Sequence, residues 1–318
     1  MDIDLSQNEV ATTAANIKLL NQYIRALIVN IKQDQINSSI NLVFDSGAVN
    51  GILGIGAALY IHNLEQHGYF KVKKVSGCSI GSLIALWYIH GCPEDMYNYC
   101  DKLFDYYKVH KNFYIYETIV REIVYKLFPN EDSDMGVINS RLYINYFDTK
   151  KNKNRVISNY KNRGYLITCI LRSSHVPFLT STEHKYQGRY IDGIVPHFFS
   201  DENKNLFVQL ISFTNPFNCL NVKLEQNIYS RLLRGIVGVN DFFVNGKMNI
   251  CSYVNMTSYL TKSHLYMRKQ LVLIILSIIE WTIIMKKHIP LSIQDTIVYN
   301  KMLILSKSLW HSLQNKLV

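Results

Sequence analysis

The chain has 318 residues, 48% of them hydrophobic, and a formal charge of +10. That is enough for one large α/β domain with extensions, or for two small domains, with a sizeable core. The six cysteines form no Cys-x-x-Cys pair and no histidine stands at ligand spacing from a pair, which excludes a zinc-ribbon or zinc-finger reading and fits reduced thiols in a cytosolic protein. The acidic, polar opening Met1-Asp2-Ile3-Asp4 shows no secretory signal. The positive charge fits an acidic partner surface, either nucleic acid or an anionic membrane. A nucleic-acid reading would rest on net charge alone, so it is set aside.

Taken in chain order, residues 8 to 33 carry Ile17, Leu20, Ile24, Leu27 and Ile28 at helical spacing, which predicts an amphipathic helix packed on the main domain, with a partner or membrane contact as the alternative. A polar link over 34 to 40 leads into a strand at 41–45. After Phe44 comes the loop Ser46-Gly47-Ala48-Val49-Asn50-Gly51 and then a small-residue helix, 51–67, whose Gly54, Gly56, Ala57 and Ala58 permit close packing. Such a loop presents main-chain N–H groups to an anion, either a phosphate or the oxyanion of an acyl-transfer intermediate. It lacks the Gly-Lys-Ser/Thr ending and the Gly-x-Gly-x-x-Gly form of the phosphate loops.

A strand at 71–76 runs into Gly77-Cys78-Ser79-Ile80-Gly81 and a helix at 80–90. Strand, Gly-x-Ser-x-Gly and helix in that order form the context of a nucleophile elbow. Gly77 and Gly81 leave room for the tight turn, Ser79 is pushed out of the sheet edge, and the following helix aims its N-terminal N–H groups at the reaction centre. With a nucleophile turn one βα unit after the 46–51 loop, the oxyanion role is the better reading of that loop.

Another helix opens near Pro93 and runs past Tyr107. The Tyr- and Phe-rich stretch 108 to 140 reads as aromatic core packing or a cover over the site. A β-hairpin is predicted over 142–147 and 154–158, around the basic residues Lys150, Lys151, Lys153 and Arg155. A helix over 162–174 stops before Pro177. Tyr190 and Ile191 then form a short strand that ends in Asp192-Gly193, and a carboxylate at that position can serve as general base to Ser79. A buried strand follows at 206–213. The run from Gln270 to Met285 is nearly all apolar, flanked by Arg268-Lys269 and Lys286-Lys287. It is shorter than the about 20 apolar residues a membrane span needs and contains Glu280, so a buried helix is expected, with an in-plane membrane helix as the alternative.

Three segments in this order resemble the patatin-like phospholipases: the Gly-containing loop after the first strand, Gly-x-Ser-x-Gly about thirty residues on, and a later Asp-Gly. The runs Ile170 to Phe178 and Gln187 to Gly193 are also similar to that family. The resemblance covers about residues 40 to 215. It implies a three-layer α/β/α fold with a central, mostly parallel sheet, plus helical N- and C-terminal extensions. The expected division is an extension at 1–40, a catalytic domain at 41–215 and a mostly helical region at 216–318.

The resemblance further implies a lipid acyl hydrolase using a Ser–Asp dyad, with Ser79 as nucleophile and Asp192 as general base. Gly47 and Ala48 would be oxyanion donors, Gly77 and Gly81 elbow glycines, and Gly193 the partner of Asp192. No metal or cofactor is implied. The expected substrate is a phospholipid or glyceride, met by a cytoplasmic protein in peripheral contact with a lipid surface. The loop departs from the family's glycine-rich pattern at two positions, and Asn50 stands where a basic residue often lies. Those departures motivate the alternative, a weak or inactive patatin-like module that binds lipid or protein. The histidines past Asp192 (His197, His264, His288 and His311) are read as surface or core residues, not as members of a triad.

Overall fold

A computed structural model describes residues 19–31, 38–92, 96–130, 135–212, 219, 227–254 and 258–288. Residues 19–28 form helix α1. The rest of the helix expected over 8–33 lies partly outside the described residues. The elements that follow are β1 (Ser38–Phe44), α2 (Gly51–Gln66), β2 (Phe70–Gly77), α3 (Ile80–Ile89), α4 (Met96–His110), α5 (Tyr116–Leu127), β3 (Leu142–Asp148), β4 (Lys153–Ile157), α6 (Arg163–Ser173), β5 (Tyr190–Ile191), β6 (Lys204–Val208), α7 (Ile228–Asn245), β7 (Cys251–Val254) and α8 (Tyr259–His288).

One seven-stranded sheet runs through the molecule in the order β4-β3-β2-β1-β6-β7, with β5 added on β3. The four inner strands are parallel, and β4, β5 and β7 are antiparallel additions. Parallel inner strands are covered on both faces, and the end of β1, Leu42 to Phe44, is a continuous apolar run for that reason. Ile40, Leu42 and Phe44 face a core shared with α1, α2, α3, α5, α6 and α7. Val43 faces the other way, into a smaller cluster with Phe207, Phe199, Val254 and Leu265 of α8. The result is the three-layer α/β/α architecture expected from the sequence.

Helix α2 is buried nearly all round, because α7 packs on the side away from the sheet. The two helices meet backbone to backbone. A Cβ on Gly56 would stand 2.2 Å from the Leu232 carbonyl oxygen, and one on Gly235 would stand 2.2 Å from that of Leu53. Both approaches are closer than any side chain tolerates.

The C-terminal region beyond 215 contributes more than helices. Strand β7 pairs with β6 in the central sheet, Asn205 opposite Val254 through Val208 opposite Cys251. The strand expected over 206–213 starts at Lys204 and ends at Val208. Past that point β1 has turned into its loop, and the Leu210 carbonyl is taken by the Asn50 side chain instead. The hairpin, the helix before Pro177 and the early βα units lie within a few residues of their expected bounds.

The apolar run from Gln270 to Met285 forms the second half of α8, and its described side chains are only partly covered, not buried as expected. Val272, Leu273 and Leu276 pack on Phe147, Ile191 and Ile194. Leu271, Ile274, Ile275, Ile278 and Trp281 are exposed. A single helix laid across one sheet face can bury only the stripe that touches it. Glu280 is not stranded in apolar surroundings, since it forms an ion pair with Lys185. Among the described residues no helix is long and apolar enough to cross a membrane.

Candidate active site

The site lies at the carboxyl ends of the parallel strands, where open α/β sheets place their ligands. Strand β2 pairs with β3 only as far as Gly77 opposite Ile144. Farther along β3, β4 occupies one edge, and β5 takes up Phe147 and Asp148 on the edge that β2 has left. Ser79 follows β2 and Asp192 follows β5, so the two side chains arrive at the same place from segments far apart in sequence. The Ser79 side chain comes near enough to the Asp192 carboxyl to draw its pKa down.

Ser79 caps the N-terminus of α3 with φ 55° and ψ −133°. A non-glycine residue on that side of the map is strained by roughly 1–3 kcal/mol and persists only where its surroundings hold it. The surroundings here are explicit. The Ser79 N–H donates to Ser173 Oγ at 2.9 Å. The Ser79 carbonyl accepts from Ser82 Oγ at 2.6 Å and from the Ser82 N–H at 2.9 Å. A Cβ on Gly77 would lie 2.1 Å from the Gly81 carbonyl oxygen, and one on Gly81 would lie 2.3 Å from that of Asp45. Both elbow glycines are therefore fixed by backbone packing. Between them Cys78 is fully buried, and burial pushes its thiol well above the ordinary range.

Burial pushes the Asp192 carboxyl up to about 6, against the Ser79 side chain, the hydrogen bond of the Ile194 N–H and the field of Arg268, which draw it down. The Ile194 N–H donates to its Oδ1 at 2.7 Å. The Asp192 N–H donates to the His175 carbonyl at 3.0 Å. The His175 ring, also buried, is driven down to about 4 by desolvation and stays neutral at physiological pH. Gly193 is pressed against β3, where a Cβ would meet the Asn145 carbonyl oxygen at 2.4 Å.

The loop after β1 runs beside the elbow. Ala48 adopts φ 46°, the left-handed conformation that glycine takes without cost. Among the described residues, no acceptor takes the N–H groups of Gly47 or Ala48. The loop's two ends are tied down. The Asp45 carboxylate is fully buried and receives both terminal nitrogens of Arg268, at 2.5 and 3.0 Å. Asn50 donates to the Leu210 carbonyl at 2.6 Å and accepts from Arg231 at 2.8 Å.

Ser79 and Ala48 open onto an apolar cavity walled by Ile52, Ile55, Leu83, Leu103, Phe113, Tyr116, Ile119 and Leu179, among others. The aromatic stretch after residue 108 thus supplies part of this wall through Phe113, Tyr116 and α5. Tyr116 donates its hydroxyl to Ser174 Oγ at 3.0 Å at the polar end of the cavity.

The described histidines past Asp192 have other settings. His197 lies against Tyr143 and Phe199, and His264 sits in the field of Arg268 and Asp45. The His288 side chain and His311 lie outside the described residues. Sequence reasoning did not single out Asp45, Ser173 as a support, Arg231 or Arg268. Only Ser173 left a trace, in the small-residue helix end before Pro177.

No curated protein matches the chain significantly. Residues 42–196 match the family model for patatin-like phospholipase. That span begins in β1, takes in the 46–51 loop and the elbow, and ends just after Asp192-Gly193. Over that span, just under half of the chain, the sequence is similar to the patatin-like phospholipases.

Proposed function

We propose that the protein is a lipid acyl hydrolase that cleaves carboxylic esters of phospholipids or glycerides through a Ser79–Asp192 dyad. The observation that carries this reading is the approach of Ser79 to Asp192, with Ser79 itself open to an apolar cavity. In the first step Asp192, as carboxylate, accepts the Ser79 proton while Oγ attacks the acyl carbonyl. The N–H groups of Gly47 and Ala48 receive the oxyanion. Proton return to the alcohol leaving group releases it and leaves an acyl-enzyme. Water, deprotonated by Asp192, then frees the fatty acid. An Asp192 pKa near 6 suits this work, because the group is ionised at neutral pH yet basic enough to take a proton. The cavity matches an acyl chain and offers no charged wall to a headgroup.

Residues 41–215 are read as carrying the reacting groups, with the region from 216 onward packed on them. The exposed Leu271, Ile274, Ile278 and Trp281 of α8, on a chain of net charge +10, support peripheral contact with an anionic lipid surface. Co-sedimentation with anionic but not zwitterionic vesicles is the expected result.

The deciding test is labelling with a fluorescent fluorophosphonate, with Ser79→Ala and Asp192→Asn as controls. Labelling that needs both residues is expected, with ester hydrolysis lost in both variants. Hydrolysis near the parent rate in folded Ser79→Ala would sink the assignment. The second reading is a non-catalytic lipid-binding module, favoured by Ala48 in a left-handed conformation within the oxyanion loop. It predicts lipid binding without labelling.

A further inference from the structure

We infer that α7 and α8, which lie beyond the family match, are part of the catalytic unit, with Arg231 and Arg268 as positioning residues that hold the oxyanion loop against the Asp192 turn. The inference rests on the dyad reading above.

Arg268 of α8 is 10% exposed at its side chain, and its partner Asp45 is fully buried. Asp45 ends β1 and is the last residue before Ser46-Gly47-Ala48. The guanidinium also donates to the Ile194 carbonyl at 2.8 Å. Ile194 is two residues after Asp192 and itself has φ 64°. The Ser46 hydroxyl donates to the same carbonyl at 3.1 Å. One fork therefore spans the start of the oxyanion loop and the turn that holds the general base. At the other end of the loop, Arg231 of α7, also buried, holds Asn50, whose main-chain N–H donates to the Gly47 carbonyl at 2.9 Å. The Val49 N–H is taken by the Cys219 carbonyl at 3.0 Å.

A buried guanidinium is costly to desolvate unless it is paired and hydrogen-bonded. Here Arg268 is paired with Asp45 and Arg231 hydrogen-bonds Asn50, at the two ends of the loop that holds Gly47 and Ala48. Arginine is required for the shape of the contact, because a single ammonium cannot reach both Asp45 oxygens and the Ile194 carbonyl together.

The test uses the full chain with R268K, R231K and D45N/R268Q. The double variant leaves no unpaired buried carboxylate, so it guards against simple misfolding of a charge-deleted protein. Hydrolysis of a soluble short-chain ester is measured together with hydrogen exchange of the amides. In R268K, kcat is expected to fall about 100-fold, as for a misplaced catalytic group, with KM changed by less than about twofold. Exchange should rise at 46–51 and 192–195 together, with β1, β2 and β3 unchanged. R231K should raise exchange at 46–51 alone. Unchanged kcat and exchange, or exchange that rises across the whole sheet, would overturn the inference. If the parent protein neither hydrolyses ester nor labels with fluorophosphonate, the dyad reading fails, and the exchange pattern still decides whether the arginines hold the loop.

Discussion

The main-chain N–H of Ser79 donates to the Oγ of Ser173 at 2.9 Å, and that same hydroxyl donates onward to the Asn145 carbonyl at 2.7 Å. Ser173 also accepts the Gly193 N–H on its own carbonyl at 3.3 Å. One fully buried residue at the end of α6 thus joins the elbow and β3 through its hydroxyl and the Asp-Gly turn through its main-chain carbonyl. Ser173→Ala would leave the Ser79 N–H buried without an acceptor, at a cost of about 1–3 kcal/mol. The expected outcome is a lower melting temperature together with a loss of kcat larger than any change in KM. Calorimetry and steady-state kinetics on a soluble ester check both.

The pH dependence follows from Asp192. Only the carboxylate can take the Ser79 proton, and burial holds its pKa at about 6. The kcat/KM profile should therefore rise with pH through a single ionisation near 6 and lose its activity below that.

The same shift has a stability consequence of opposite sense. A carboxyl whose folded pKa lies above its unfolded value favours the fold at low pH, and that contribution is lost as pH rises from about 4 through 6. Asp192→Asn removes the buried charge and keeps an acceptor for the Ile194 N–H. The variant should be inactive yet more stable than the parent at pH 7, by an amount on the order of 3 kcal/mol for a shift of about two units. Urea titrations at pH 4 and pH 7 test the sign: the advantage should shrink at the lower pH.

Ala48 holds a left-handed φ of 46° beside the elbow. Ala48→Gly should relieve that strain, raising stability by about 1 kcal/mol without loss of hydrolysis. A large fall in activity would instead mean that the alanine methyl is used against the substrate.

Leu103 lines the cavity from α4. Leu103→Trp should narrow it and discriminate by chain length. The ratio of kcat/KM for long over short acyl esters is expected to fall about tenfold or more, the scale of a few apolar methylenes lost from a pocket. Equal loss for both lengths would show that the cavity does not hold the acyl chain.

The sequence by itself determined the local pieces. Strand, Gly-x-Ser-x-Gly and helix can be read from residues 70 to 89 because the pattern is local, two glycines four apart around a serine between an apolar strand and an apolar helix, although Gly81 is itself pressed on the Asp45 carbonyl. The loop at 46–51, the hairpin around Lys150 and the position of Asp192 after a short strand were legible for the same reason. The tertiary structure alone decided what supports them. Asp45 and Arg268 are 223 positions apart, and Asn50 and Arg231 are 181 apart. No periodicity in one chain marks such pairs, since a buried ion pair is specified by where two elements cross and not by its neighbours in sequence. The half-buried state of α8 was hidden likewise. Its composition is apolar on every side, and only the single sheet face it crosses settles which stripe is covered.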